Sequence, residues 1–470
     1  MERTSIAASR ATRNGEMKIL LISANVAQVP YPVYPLGLGI IAAALEKAGH
    51  AVTQFDLLQN NRSMEAVAAA VREADPDIVG ISLRNIDNTN LLHEEQYIPC
   101  VREIVATVRR ESSCRVVLGG SGFSIMPEVI LDTVGADYGI VGEGEKLMVD
   151  FVAEAAVGRY PETRCVRAAP GLMGGEMPGA VYDRDIMRFY QKSGNLAGVQ
   201  TKRGCTHHCV YCSYPVLEGA AIRPRAPRDV VADIRRLIDE HNVGYIFFTD
   251  SVFNDEAGHF REVVRQMHRE GINVPWTAFF RPSGLDTATV TLMKETGLHA
   301  AELGADASND TALKRLGKCF TFADIARCSD LLVEQGVACA HYYMFGCPGE
   351  TEALVDEGIA NIRSLQGAAV FIFMGIRVLP GTPLAEIARR DGLFSDDKEL
   401  LESVYYLAPD VDRDWLEQRL TDAFAELDHC VFPPDSMDAK LRFLHSLGHV
   451  GPLWDLLLRK RNRRLRSKKK

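Results

Sequence analysis

The chain has 470 residues, 47% hydrophobic and 24% charged, which is enough apolar mass for two or three globular cores. Its 62 Asp and Glu outnumber 53 Lys and Arg, and nine of those bases crowd into Arg459–Lys470, so the rest of the chain is acidic and a general nucleic-acid-binding surface is excluded. No stretch has the length and apolarity of a bilayer span and Met1–Glu16 lacks the apolar core of a secretory signal, so a cytoplasmic protein with a loose tail over residues 1–16 is expected.

The N-terminal third predicts alternating strands and helices. Met17–Ala24 is a continuous apolar run suited to a buried parallel strand. A helix follows over Leu36–Ala48, closed by Gly49, then a strand over Ala51–Leu58 and a helix over Ser63–Ala74 with Ser63 as its N-cap. Further strands are expected at Asp77–Leu83, Cys114–Leu118 and Asp137–Val141, with helices around Pro99–Arg110 and up to Ala156. Five strands alternating with helices imply an α/β domain over residues 17–157, a doubly wound parallel sheet of Rossmann-like type. Such sheets bind ligands beyond the carboxyl ends of their strands. Here those loops are Asn25–Pro35, Arg84–Asn90, Gly119–Ser124 and Gly142–Glu145, a surface able to take a large flat ligand.

Residues 158–188 are rich in Gly, Pro and Met without a clear period and predict a linker. A second αβ series occupies residues 189–385. Its strand candidates are Gly198–Thr201, Gly244–Thr249, Val274–Phe280, Ala300–Gly304, Cys339–Phe345 and Val370–Val378, with helices such as Asp229–Glu240 and Thr321–Gln335 between them. Six βα units predict a partial (β/α)6 TIM-like barrel, with its chemistry at the carboxyl ends of the strands. Residues 386–458 read as a helical C-terminal domain, clearest over Trp415–Leu427, followed by the basic tail 459–470.

Eleven cysteines in a chain of this length do not suggest a disulfide framework, and eight are scattered. The other three, Cys205, Cys209 and Cys212, form a C-x3-C-x2-C loop just after the first barrel strand. Three thiolates at that spacing reach three irons of a cubane, whereas iron–sulfur clusters usually have four Cys ligands. With no fourth Cys nearby, one iron is left open to an outside ligand. Zinc held by the same cysteines with His207 or His208 is the alternative chemistry.

The loop after a first barrel strand resembles the radical S-adenosylmethionine (SAM) superfamily. The resemblance extends to the subgroup with an N-terminal cobalamin (B12)-binding domain, including its lipid-biosynthesis-associated members. It is carried by Gln200–Cys205, Tyr211–Pro215, Glu218-Gly219, Glu302–Ala307 with Leu316-Gly317-Lys318, Phe345–Thr351 and Arg377–Leu384, and it spans about Met17 to Leu384. It implies a [4Fe-4S] cluster, SAM and cobalamin as cofactors, and an external one-electron reductant of flavodoxin or ferredoxin type. It also implies cleavage of SAM to a 5′-deoxyadenosyl radical that abstracts a substrate hydrogen. Methyl transfer from methylcobalamin to an unactivated carbon is the leading expectation. A non-methylating oxidation, cyclisation or rearrangement comes second, and a non-catalytic cobalamin or iron–sulfur sensor third.

Residue roles follow from the same resemblance. Tyr211, before the third cysteine, is expected against the SAM adenine. Thr249, Asp250 and Ser251 end the second barrel strand and would hold the methionine amine. Gly304-x-Asp306 takes the place of the family's Gly-x-Glu-Ser, which contacts the SAM ribose or carboxylate. Arg377 and Arg281 end two further strands and are expected to meet the SAM carboxylate or a substrate anion, with a structural ion pair as the alternative. Gly119, Gly120, Ser121, Gly142, Glu143 and Gly144 would let the backbone approach cobalamin. The Asp-x-His-x-x-Gly motif of many cobalamin proteins is missing after the first strand, implying water or nothing beneath cobalt. The substrate is expected to be a small or lipid-like molecule, with the basic tail suited to peripheral contact with an anionic membrane.

Overall fold

A computed structural model of the chain describes residues 15–28, 31–167 and 171–458. Nearly all of the expected N-terminal tail and the whole basic tail 459–470 lie outside the described residues. The first sheet is six-stranded and parallel: β1 (Lys18–Ser23), β2 (Ala51–Asp56), β3 (Ile78–Ser82), β4 (Arg115–Gly119), β5 (Tyr138–Val141) and β6 (Cys165–Arg167), in the order β2-β1-β3-β4-β5-β6. The five apolar strands form where hydrophobicity places them, because helices cover both faces. Ser63 caps the helix Met64–Ala74, its hydroxyl accepting from the Ala66 amide at 3.1 Å. The strand order reverses direction between β1 and β3, so the switch point lies beyond Ser23 and Ser82.

Residues 158–188 are more structured than a linker. They contain β6, which pairs with β5 through Gly139↔Cys165, and the start of the helix Arg184–Lys192, capped by the Asp183 carboxylate and buried through Ile186, Met187 and Tyr190. A three-residue strand is too short to show a period, and the helix carries its apolar face in only three residues.

The second sheet is the partial barrel. Its six expected strands are β7 (Leu196–Val199), followed after a two-strand hairpin, β8 (Lys202–Arg203) and β9 (Arg223–Pro224), by β10 (Tyr245–Phe248), β11 (Trp276–Phe280), β12 (Ala300–Asp306), β13 (Ala338–Phe345) and β14 (Ala368–Met374). A second short pair, β15 (Ile376–Arg377) and β16 (Tyr405–Tyr406), is antiparallel. β17 (Cys430–Val431) adds a seventh parallel strand beside β14, giving the open order β17-β14-β13-β12-β11-β10-β7. The C-terminal region is helical over Arg413–Phe424 and Asp438–Ser446, and it contributes the edge strand β17 and the buried Trp454 to the barrel.

One apolar core runs without interruption from Leu20, Val101 and Leu118 of the first domain into Leu313, Phe345 and Val378 of the barrel. The two sheets therefore bury a common interface, and the carboxyl ends of the first sheet are turned toward the barrel mouth. The helix Ser121–Ile125, after β4, packs on the helix Tyr214–Glu218, just past Cys212.

Candidate functional site

The three-cysteine loop leaves β8 at Gly204, whose φ is +87° and where a Cβ would lie 2.1 Å from the Ala221 carbonyl oxygen, so only glycine fits. The Cys205 amide donates to Gly219 O at 3.1 Å, and the Cys212 amide to Cys209 O at 3.1 Å. Between the second and third cysteines, the Val210 amide donates to Leu316 O (3.0 Å) and the Val210 carbonyl accepts from the Leu384 amide (2.8 Å). Gly317, at φ +76°, presses so closely on the loop that a Cβ there would sit 2.6 Å from His208 O. Turns from two different βα units thus hold the loop at the barrel mouth.

Cys205 is buried, and Cys209 and Cys212 are half-buried. Burial pushes the Cys209 thiol up and the Cys212 thiol up to about 11, and the neighbouring cysteine sulfurs add to both shifts, so the three groups lie within electrostatic reach of one another. Among the described residues, no three His, Cys, Asp or Glu side chains gather as closely as one ion requires. Zinc draws its sulfurs to about 2.3 Å from a single centre. A cubane instead spreads three thiolates over three irons.

Tyr211 lies between these sulfurs and the end of β12. Its hydroxyl donates to Asp306 Oδ2 at 2.7 Å, and the Lys318 ammonium donates to the Tyr211 oxygen at 3.1 Å and is ion-paired with Asp306. Asp306 is a non-glycine residue at φ +65°, just after a register shift between Leu303 and Asp306. Backbone strain of that kind persists where the surroundings fix it, and here Tyr211 and Lys318 fix it. Asp306 therefore reaches the mouth of the barrel as expected, but its carboxylate is already engaged. Lys318 is the member that residue-level reasoning missed; only its place in Leu316-Gly317-Lys318 marked it.

Three of the expected ligand residues are held by partners within the chain, and Asp250 is the first. Its Oδ1 accepts from the amides of Thr201 (2.7 Å) and Lys202 (3.3 Å), and its Oδ2 from the Thr201 hydroxyl (2.5 Å) and Lys202 Nζ (2.9 Å), which fills its acceptor capacity. The physical reason is Lys202, 1% exposed, whose buried ammonium needs this carboxylate together with Asp255 and the Phe253 carbonyl. Arg377 is likewise committed: its Nε donates to Asp87 at 2.7 Å, and its terminal nitrogens donate to the carbonyls of Val378 and Leu400. Glu143 is engaged in the same way. It pairs with Arg223 and Arg203 and accepts from the Leu172 amide at 2.6 Å, while Arg203 also holds Glu145 at 2.5 Å. This group fastens the first domain to the cluster loop.

Thr249 and Ser251, on either side of Asp250, are half-buried, and the Ser251 hydroxyl donates to Gly204 O at 3.1 Å. Arg281 pairs with Glu256 at the rim and, after burial, is the next cause that lowers the pKa of His207 in the cluster loop. On the cobalamin side, Gly120 has φ +98° and lies where a Cβ would be 2.4 Å from Leu83 O, so this glycine serves the close approach of β4 to the exit of β3. Ser121 donates to Arg84 O at 2.7 Å, and the Gly142 amide donates to Ser124 Oγ at 2.9 Å. Gly119 and Gly144 sit at the same carboxyl edge.

Deeper in the barrel, Glu302 on β12 is buried and accepts from the Tyr342 hydroxyl (2.8 Å) and from Tyr31 (3.4 Å), which arrives from the loop after β1. The Trp454 indole N–H is directed at the same carboxyl, without reaching hydrogen-bond geometry. Burial raises the Glu302 pKa to about 7. Only its place at the head of the Glu302–Ala307 stretch marks this residue in the sequence.

A family model described as the B12 binding domain matches residues 22–152, and one described as the Radical SAM superfamily matches residues 199–359. The chain belongs to the B12-binding radical SAM enzymes. Its cofactors are a [4Fe-4S] cluster, SAM and cobalamin. This radical SAM enzyme is 25% identical over 445 residues to tryptophan 2-C-methyltransferase of Streptomyces laurentii, covering 78% of this chain and 74% of that protein. It is 24% identical over 368 residues to the anaerobic magnesium-protoporphyrin IX monomethyl ester cyclase of Rubrivivax gelatinosus, covering 73% of this chain and 64% of that one. Its fold matches the radical SAM methyltransferase TsrM from Kitasatospora setae, solved with cobalamin and a [4Fe-4S] cluster bound, with a TM-score of 0.83 at 22% identity over 96% of this chain and 100% of that one.

Proposed function

We propose that this radical SAM enzyme transfers a methyl group to an unactivated carbon of a small-molecule substrate. One observation carries the reading: the carboxyl edge of the B12-type sheet and the three-cysteine loop face each other across one interface, through the packed helices Ser121–Ile125 and Tyr214–Glu218. When bound, the cofactors supply one-electron reductive cleavage of SAM and a methyl group carried on cobalt. The chain's part is to hold the two centres at a fixed separation. The Glu143–Arg223 and Glu145–Arg203 pairs do this by joining the cobalamin edge to the β8–β9 hairpin that carries Gly204 and Cys205. Thr249 and Ser251 remain at the mouth as candidates for the SAM amine and Arg281 for its carboxylate, while Gly119, Gly120, Ser121, Gly142 and Gly144 line the cobalamin edge. Tyr211 presents its ring beside the cysteines, with its hydroxyl tied to Asp306.

Relatives acting on tryptophan support a small-molecule substrate. A lipid-like substrate and peripheral membrane contact rest on the sequence of residues 459–470 and the subgroup resemblance, and no helix among the described residues is long and apolar enough to cross a membrane. The cyclase relative favours a second reading, radical chemistry without methylation. Anaerobic reconstitution with cobalamin, SAM and reductant separates the two: 5′-deoxyadenosine together with S-adenosylhomocysteine supports methyl transfer, and 5′-deoxyadenosine alone supports the second reading. Wild-type protein with all cofactors bound that yields neither product overturns both.

A further inference from the structure

Lys318 belongs to no expected ligand set, yet the turn that carries it packs on the second cysteine, where a Cβ at Gly317 would lie 3.7 Å from Cys209 Cα. The turn that carries it is anchored on the cluster loop, through Val210 N–H to Leu316 O and through the close approach of Gly317 to His208. Its side chain is 8% exposed, and its ammonium bonds Tyr211 Oη at 3.1 Å, pairs with Asp306 and lies 5.4 Å from the centre of the Tyr211 ring. We propose that Lys318 is a positioning residue whose charge sets the reduction potential of the iron–sulfur cluster at Cys209. The inference rests on the cluster assignment and is independent of methyl transfer.

Reduction adds one negative charge to the cluster, and both nearby charge and hydrogen bonds to its sulfurs set its potential. A buried cation at one corner stabilises the reduced form, and a buried anion opposes it. Asp306 opposes Lys318 from the end of β12, whereas Lys318 sits on the turn packed directly against Cys209, where a Cβ at Gly317 would lie 3.7 Å from Cys209 Cα. The pair is thus unbalanced toward the cation as seen from the cluster, even though it is neutral as a whole.

The signs give the test. Anaerobically reconstituted full-length protein without SAM is titrated with dithionite and the reduced-cluster signal followed by electron paramagnetic resonance. Lys318→Met is expected to move the midpoint to more negative potential and Asp306→Asn to more positive potential. Lys318→Arg is expected to stay near wild type, and the double variant Asp306→Asn/Lys318→Met to end modestly negative. Should Lys318→Met fail to hold a cluster because Asp306 is stranded without its partner, the double variant removes that difficulty. Coincident midpoints for wild type and either Met-containing variant overturn the proposal. If neither Met-containing variant holds a cluster, Asp306→Asn decides, and a midpoint at or below wild type overturns it. A wild-type protein that forms no [4Fe-4S] signal refutes the cluster assignment instead, so the two failures are distinguishable.

Discussion

Replacing Arg377 asks whether a buried guanidinium at the end of a barrel strand serves the fold or the ligand. The side chains of Arg377 and Asp87 are 3% and 2% exposed and meet at 2.7 Å, joining the loop after β3 to the end of the barrel sheet. Asp87 Oδ1 also accepts from the Thr89 amide at 2.9 Å, so the carboxylate is built into that loop. Removing one member of a buried pair leaves an uncompensated charge and costs roughly 3–5 kcal/mol. Arg377→Met is therefore expected to lower stability by roughly that amount, and Asp87→Asn by a comparable amount. The double variant should be less destabilised than the two losses added, by roughly 1–3 kcal/mol, as for residues in contact. Urea denaturation followed by tryptophan fluorescence gives the cycle, and calorimetric titration of SAM into the reconstituted protein gives the binding. Stability unchanged within 1 kcal/mol in Arg377→Met, with SAM binding at least tenfold weaker, would refute the structural assignment and return Arg377 to the SAM site.

Glu302 predicts a pH dependence. Burial raises its pKa from 4.5 to about 7, so the folded state binds the proton more tightly than the unfolded chain. The resulting stabilisation is full below about pH 4.5 and is lost as pH rises to about 7, a change of roughly 3 kcal/mol. Glu302→Gln removes it, so the stability of wild type relative to the variant should fall across that window; parallel pH profiles would show that the proton is not held there. Gly317→Ala places a methyl group 2.6 Å from His208 O at a φ of +76°. With a left-handed backbone costing roughly 1–2 kcal/mol for a non-glycine residue, faster iron loss to a chelator is expected, and an unchanged rate would mean that the turn does not clamp the loop.

What could be read from the sequence and what could not divide along physical lines. Strands such as Lys18–Ser23 and Ile78–Ser82 are buried on both faces, so a short apolar run identifies them, and their alternation with helices fixes a parallel sheet. The cysteine loop is legible because its spacing is itself the chemistry. The choice of partner for a polar residue is not legible. Asp250 at a strand end is equally suited to a ligand amine or to Lys202, 48 positions earlier, and only folding brings Lys202 to it. Arg377 and Asp87 lie 290 residues apart. Glu143, in a Gly-Glu-Gly run, looks like part of a ligand cradle until Arg203 and Arg223 arrive from the other domain. β6 and β17 have three and two residues and carry too little pattern to be found.

The central claim is an iron–sulfur cluster with one iron left open by Cys205, Cys209 and Cys212. Mössbauer spectroscopy of iron-57-enriched, anaerobically reconstituted protein tests it most directly. A [4Fe-4S] spectrum in which one iron site changes its isomer shift on adding SAM is predicted, and it should vanish in Cys209→Ala. A spectrum indifferent to SAM, or protein whose three cysteines hold zinc and take up no iron, would contradict the account.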